Sequence, residues 1–326
     1  MRQMLYSPIC RAARMPLHAR VASAVMAGAS VEGLSGEPSA TEMKLARKQS
    51  VGLEFVSHYP AARAPLEEET GRQVAFRRAM HETSVLLASC GIPHIYIKFR
   101  KLYRYYDSNV DVIVAREHWQ PAVVALEAEG YAGHVMFKEP DKIMFSRQGA
   151  AVSVHLHPGV TWNGVPYFDL GELWSHSSPA AGESWLELSD EYDYLINLAH
   201  NVFENYAISL GDVLYFRNFL REHSLDTSRL EAVAAANGWR LGFRQLQAQV
   251  VALVEAWERT LQTGQVPPSL LAYPYRISMP ALARAFGERI TSNIAGRRLR
   301  PALREAYAYP AFYALKRRHD LPFLAR

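Results

Sequence analysis

The sequence predicts an α+β fold: a small mixed-sheet domain followed by an α-helical domain. Three observations carry that prediction. Between about residues 67 and 186, short β-branched runs alternate with helix-length segments. Strand signal then fades after "PYFDLGELWSHSSPAAGESWLEL". From "SDEYDYLINLAHNVFEN" onward, apolar residues recur at helical spacing only.

The elements follow in order. Residues 1–66 are rich in Ala, Ser, Gly and Pro and read as a basic, disordered leader and linker, with room for one helix inside residues 10–28. "EEETGRQVAFRRAMHETSVLLASCGI" places Val74, Met80, Val85 and Leu86 on a helix, with Gly91 and Pro93 as stop signals. "HIYIKF" reads as a strand, "KLYRYYDS" as a turn or short helix and "NVDVIVA" as a second strand. "EHWQPAVVALEAEGY" is a helix ending at Gly130, and "KIMFSR" with "AAVSVHLHPG" makes a hairpin around "QGA". The helical domain spans 187–290. It opens on Ser189 as an N-cap, with Leu195, Leu198, Ala199 and Val202 as its buried stripe. Three further helices are expected in "SLGDVLYFRNFLREH", "TSRLEAVAAANG" and "RLGFRQLQAQVVALVEAWERTLQTG", before a basic tail over 291–326.

Composition narrows the function classes. With 49% apolar and 21% charged residues, a packed core is available to the 326-residue chain. No apolar run is long enough to span a bilayer, so a soluble protein is expected. Two cysteines, Cys10 and Cys90, make neither a disulfide framework nor a zinc CxxC, which points to a cytoplasmic setting. Cys90 is a poor case for a catalytic thiol. The net charge of +4 is concentrated at the ends: Arg2, Arg11, Arg14 and Arg20 lie among the first 31 residues, which hold no acid. Such a segment is either a mitochondrial-type presequence or a disordered leader. The basic tail is either a solvated helix face or a contact for phosphates or an anionic surface. No aromatic platform accompanies it, so nucleic acid is not the expected partner.

Chemistry-bearing residues gather in the strand region. Asn109 and Asp111 stand two apart on a strand and so share a face. They are either half of a metal site or an ordinary strand-start turn. His155 and His157 repeat that spacing on a later strand, and with Asp111 they would make a transition-metal set. The alternative is a pair of packed, hydrogen-bonded histidines. His200 and Glu204 are four apart on one helix face, either an anion or base site or a satisfied interface pair. Tyr103, Tyr105 and Tyr106 beside Lys101 and Arg104 form either a stacking shelf or core packing. GxSxG, P-loop, dinucleotide, HExxH and EF-hand patterns do not occur.

The run "GIPHIYIKFRKLYRYYDSNVDVIV", a helix ending "EAEGY", then "SVHLH", "EYDYLINLAHNVFEN" and "SLGDVLYF" together resemble the uncharacterised nucleotidyltransferase family of the polymerase-β-like superfamily, over roughly residues 80–220. The resemblance implies a strand carboxylate pair and a third acid holding two Mg²⁺ on a triphosphate, with a glycine turn near the phosphates. Here the turn reads Lys98-Phe99-Arg100, and Lys98 and Arg100 would meet the triphosphate through their side chains. Asn109 and Asp111 occupy the pair. His155 or His157 stands where the third acid is expected, which shifts the metal preference toward Mn²⁺ or Zn²⁺. The resemblance also places His200 in the cleft and matches Asp212 to a helix acid. The function so implied is nucleotidyl transfer from an NTP to an unknown acceptor, a small molecule or a protein. The alternative is a non-catalytic binding or regulatory protein on the same fold.

Overall fold

The computed structural model describes residues 17–27, 36–136, 139–162, 164–263, 270 and 275–307. Its centre is a mixed seven-stranded sheet in the order β3-β4-β5-β2-β1-β9-β8. These strands are β1 (His94–Ile97), β2 (Asn109–Val114), β3 (Ala132–Met136), β4 (Glu139–Ser146), β5 (Ser153–His157), β8 (Ser177–Pro179) and β9 (Leu186–Leu188). Between β5 and β8, β6 (Thr161–Trp162) and β7 (Val165–Pro166) form a separate small hairpin. Strands β5 and β2 pair in parallel, as do β1 and β9; the other neighbours in the sheet are antiparallel. Strands β3, β8 and β9 were not expected. The last two are three residues long and carry no alternation to read.

The pleat sorts the side chains onto two faces. Tyr96, Val110, Val112, Val114, Val154 and Leu156 face a core shared with α4 (Arg63–Ser89) and α5 (Trp119–Ala128). Ile95, Ile97 and Ile113 belong to the other core, shared with α7 (Asp190–His200), α8 (Leu210–Glu222), α9 (Thr227–Ala236) and α10 (Arg240–Thr263). Asp111, His155 and His157 alternate onto this second face, where sheet and helices meet.

The four helices expected in the helical half are present; the paired strands Ala207–Ile208 and Tyr275–Arg276, α11 (Met279–Ala295) and a helical stretch over 299–307 were not expected. All four residues expected to form the α7 stripe are buried. The helix is in fact enclosed on nearly all sides, from Tyr192 to Ala199. Ser189 does stand at its N-cap, yet its hydroxyl makes no capping bond. On α4 the helix is present but its buried side differs. Val74 and Val85 are exposed, and Phe76, Met80, Thr83, Ser84 and Leu87 face inward.

The expected leader and linker needs correction where it is described. The helix expected inside residues 10–28 is α1 (Leu17–Ala27), whereas residues 40–56, expected as linker, form α2 (Ala40–Lys48) and α3 (Gly52–Val56). Val21, Val25, Met43, Leu45, Leu53 and Phe55 join the main core. Ser39 and Glu42 close a reciprocal capping box on α2. Helices α2 and α3 are only nine and five residues long, too short for a pattern to be read, and they bury their apolar side chains through tertiary packing. Residues 1–16 and 28–35 of the leader, and 308–326 of the basic tail, lie outside the described residues.

The early helices are pinned to the helical half at Gly211. Its amide donates to the Gln49 carbonyl at 3.0 Å, and Leu210 N–H donates to the Gln49 side chain at 3.2 Å. A Cβ at Gly211 would sit 2.6 Å from the Tyr103 hydroxyl and 2.7 Å from the Gln49 carbonyl oxygen. The backbone carbonyl cannot rotate away, so Gly211→Ala is expected to lower unfolding free energy by about 1–3 kcal/mol in urea titration. An unchanged midpoint would mean that this contact loosens freely.

Candidate metal centre

The parallel pairing of β2 with β5 sets Asp111 opposite His155 and Ile113 opposite His157. One carboxylate and two imidazoles thereby converge on one sheet face. His157 Nε2 lies 2.8 Å from Asp111 Oδ1, and His155 Nδ1 lies 3.5 Å from the same oxygen. All three side chains are buried, and their ligand atoms lie within 4.8 Å of one another. Donors held about 2.0–2.2 Å from a tetrahedral ion are about 3.4 Å apart, so this spacing fits one ion with little movement. The three residues could hold a metal ion. Ser153 Oγ is 3.3 Å from His155 Nε2 and can accept its proton, which frees Nδ1 as a ligand.

Lys98 completes the group. Its ammonium is 3.0 Å from Asp111 Oδ2, and its side chain is only 17% exposed. It sits just past the end of β1 with φ of +63°, the left-handed region. A lysine there carries strain of about 1–2 kcal/mol relative to glycine. The sequence thus lacks the glycine expected at this turn, but the backbone adopts a glycine-like conformation. Phe99 packs against Tyr96 and Trp185, which accounts for an aromatic residue in the turn.

Charge and burial oppose one another here. Burial would push the Asp111 carboxyl upward; the Lys98 ammonium and both imidazoles outweigh it and hold the group well below the ordinary carboxylate range. Burial also works against the Lys98 ammonium, but Asp111 and Glu204 raise its pKa above the ordinary lysine value. His157 is pushed down by burial, against the pull of Asp111, so the imidazole is neutral near pH 7. Neutral imidazole and ionised carboxylate are the ligating forms.

The other expected site residues are placed differently. Asn109 donates its amide to Asp111 Oδ2 at 3.0 Å, so its nitrogen rather than its carbonyl oxygen faces the carboxylate. Arg100 turns away altogether. It donates to the Leu188 carbonyl at 3.1 Å and pairs with Asp190 at 2.7 Å, at the start of α7. His200 pairs with Glu204 at 3.1 Å and packs on Trp162, and it is not one of the clustered ligands. Burial and then Lys98 push its pKa down. Asp212 caps α8, accepting from Ser209 N–H at 2.9 Å. Asp107 accepts from the Tyr105 hydroxyl at 2.6 Å and the Ser108 amide at 2.7 Å, a turn role. Tyr103 and Tyr105 pack edge to face, and Tyr106 bonds Glu69, so these rings are structural.

Sequence reasoning missed Glu204 as a neighbour of Lys98. A π-helical segment, Asn201–Asn205, continues α7 and carries this acid. Nothing in residue order announces a π turn.

Two Mg²⁺ ions do not fit this donor set. Oδ2 of the one strand carboxylate is already taken by an ammonium and an amide, and among the described residues no second acid lies in the cluster. The cavity of about 10 Å³ that touches Lys98, Asn109 and Asp111 is also lined by Phe76, Met80, Tyr96 and Val110 of the opposite sheet face, and neither histidine borders it. No helix among the described residues is long and apolar enough to cross a membrane. Comparison with known proteins finds no matching family model, no matching curated protein and no matching solved structure.

Proposed function

We propose that this protein binds one divalent transition-metal ion through Asp111, His155 and His157, on a nucleotidyltransferase-like scaffold that does not transfer nucleotides. The observation that carries this reading is the convergence of Asp111, His155 and His157, whose ligand atoms lie within 4.8 Å of one another; the Lys98 ammonium 3.0 Å from Asp111 Oδ2 limits the site to one ion. A fixed cation there neutralises the one carboxylate and repels a second ion. Mixed nitrogen and oxygen donors suit Zn²⁺ or Mn²⁺ over Mg²⁺. The ion would tie β2 to β5 and order the face where sheet and helices meet, a binding or regulatory role. Transfer from an NTP, with Lys98 on the phosphates and His200 as base, is supported by the sequence resemblance alone.

Calorimetric titration of tag-free protein with Zn²⁺ and Mn²⁺ tests the ion. One site per chain is expected, lost in Asp111→Ala. Incubation with each of the four NTPs and Mg²⁺, Mn²⁺ or Zn²⁺ tests the chemistry, and no pyrophosphate is expected. Asp111-dependent pyrophosphate release would restore the transferase reading. A chain that takes up neither metal would remove the metal reading.

A further inference from the structure

We infer that the helical stretch 299–307, with the turn before it, is a docking surface for an anionic lipid bilayer. Its inner side is fixed: Ala302 and Glu305 are buried, and Glu305 is held by Arg289 at 3.0 Å and by Asn293 at 2.9 Å. Its outer side is apolar. Leu299, Leu303 and Tyr307 recur every four residues on one face and are 62%, 71% and 71% exposed. Ile294, at the end of α11, is also exposed.

Cations border this row. Arg297, Arg298 and Arg300 are all exposed, and among the described residues none of them has an acidic partner. Arg304 behaves otherwise: it turns inward to Asp141 and the Gly164 carbonyl. The outward face of 297–307 carries no acid.

Each feature removes an alternative occupant. A second copy of the same surface would bring like charges together. Nucleic acid would use the arginines and leave the leucines in water. A neutral apolar groove would leave the arginines without counter-charges. A bilayer rich in acidic lipids meets both demands, with phosphates for the guanidinium groups and the acyl boundary for Leu299, Leu303 and Tyr307. The proposal uses none of Asp111, His155 and His157, so it stands or falls independently of metal binding.

Vesicle flotation of the full chain tests it. Flotation is expected with equimolar phosphatidylcholine and phosphatidylglycerol and not with phosphatidylcholine alone, and it should weaken as salt rises. The double substitution Leu299→Asp with Leu303→Asp should abolish flotation, and Arg297→Glu with Arg300→Glu should lower bound protein about tenfold. These positions are exposed, so thermal melting should match the parent. No flotation on acidic vesicles, or undiminished flotation of the leucine variant, would overturn the proposal. So would self-association, or binding of a single-stranded oligonucleotide, that the leucine substitutions abolish.

Discussion

Asp111→Asn is expected to destabilise the metal-free chain by about 3–5 kcal/mol, the usual effect of removing one partner from a buried ion pair. The substitution keeps the side-chain shape and removes only the charge. Lys98 is then left with its ammonium largely out of water and no counter-charge, and with the amide oxygen kept toward His157 the new amide nitrogen faces the Lys98 and Asn109 donors. Adding Lys98→Met should recover at least half of the loss, because a neutral pair has no unpaired charge to bury. If the double variant were no more stable than Asp111→Asn alone, the ion pair would not be the source of the effect. The pH dependence has a definite sign. The folded Asp111 carboxyl lies below its unfolded value, near 3.8. Its stabilisation is therefore present above that pH and lost as pH falls through the lower folded value. That acid-side loss should be missing from Asp111→Asn in melts across the acid range.

The residues of this centre were legible in the sequence, but their partners were not. Asn109 and Asp111, like His155 and His157, stand two apart, and period-two alternation is enough to put each pair on one face. That the two strands pair in parallel, with Asp111 opposite His155, depends on sheet order, which single-strand patterns do not encode. Lys98 and Arg100 looked equivalent as flanking cations. A left-handed backbone at Lys98 sends one to Asp111, while the other reaches the first turn of α7, where Asp190 waits. The helical half was readable because α8 and α10 carry long amphipathic patterns. A helix inside residues 10–28 was legible and is α1, whereas α2 and α3 were missed because they are only nine and five residues long and tertiary packing supplies what propensity does not. On α4, the buried face includes Glu69, Thr83 and Ser84. A hydrophobic count could not find polar residues that are buried with partners: Glu69 with Arg47 at 2.6 Å, and Ser84 with His94 at 2.9 Å.

Arg289→Met should unfold the far end of the helical half, with a loss of about 3–5 kcal/mol. Arg289 is 1% exposed and joins four segments. It pairs with Glu305 at 3.0 Å, donates to the Pro166 carbonyl at 2.5 Å and to the Asn237 carbonyl, and lies over the Tyr167 ring at 4.5 Å. Methionine fills much of the same volume, so the loss would come from uncompensated polar groups rather than from a cavity. The pH response separates those causes. Burial raises the Glu305 carboxyl above its ordinary value near 4.5, and Arg289 restrains that rise. Stability linked to protonating this acid is therefore fully present below that pH and lost as pH rises through the folded value. Without Arg289 the folded value climbs further. The variant should then be weakest at neutral pH and recover on acidification, with hydrogen exchange over 299–307 rising and falling in step. Combining it with Glu305→Gln should flatten that recovery. A loss that stayed constant with pH would mean that Arg289 acts through packing, and that the charge on Glu305 is of no consequence to this end of the molecule.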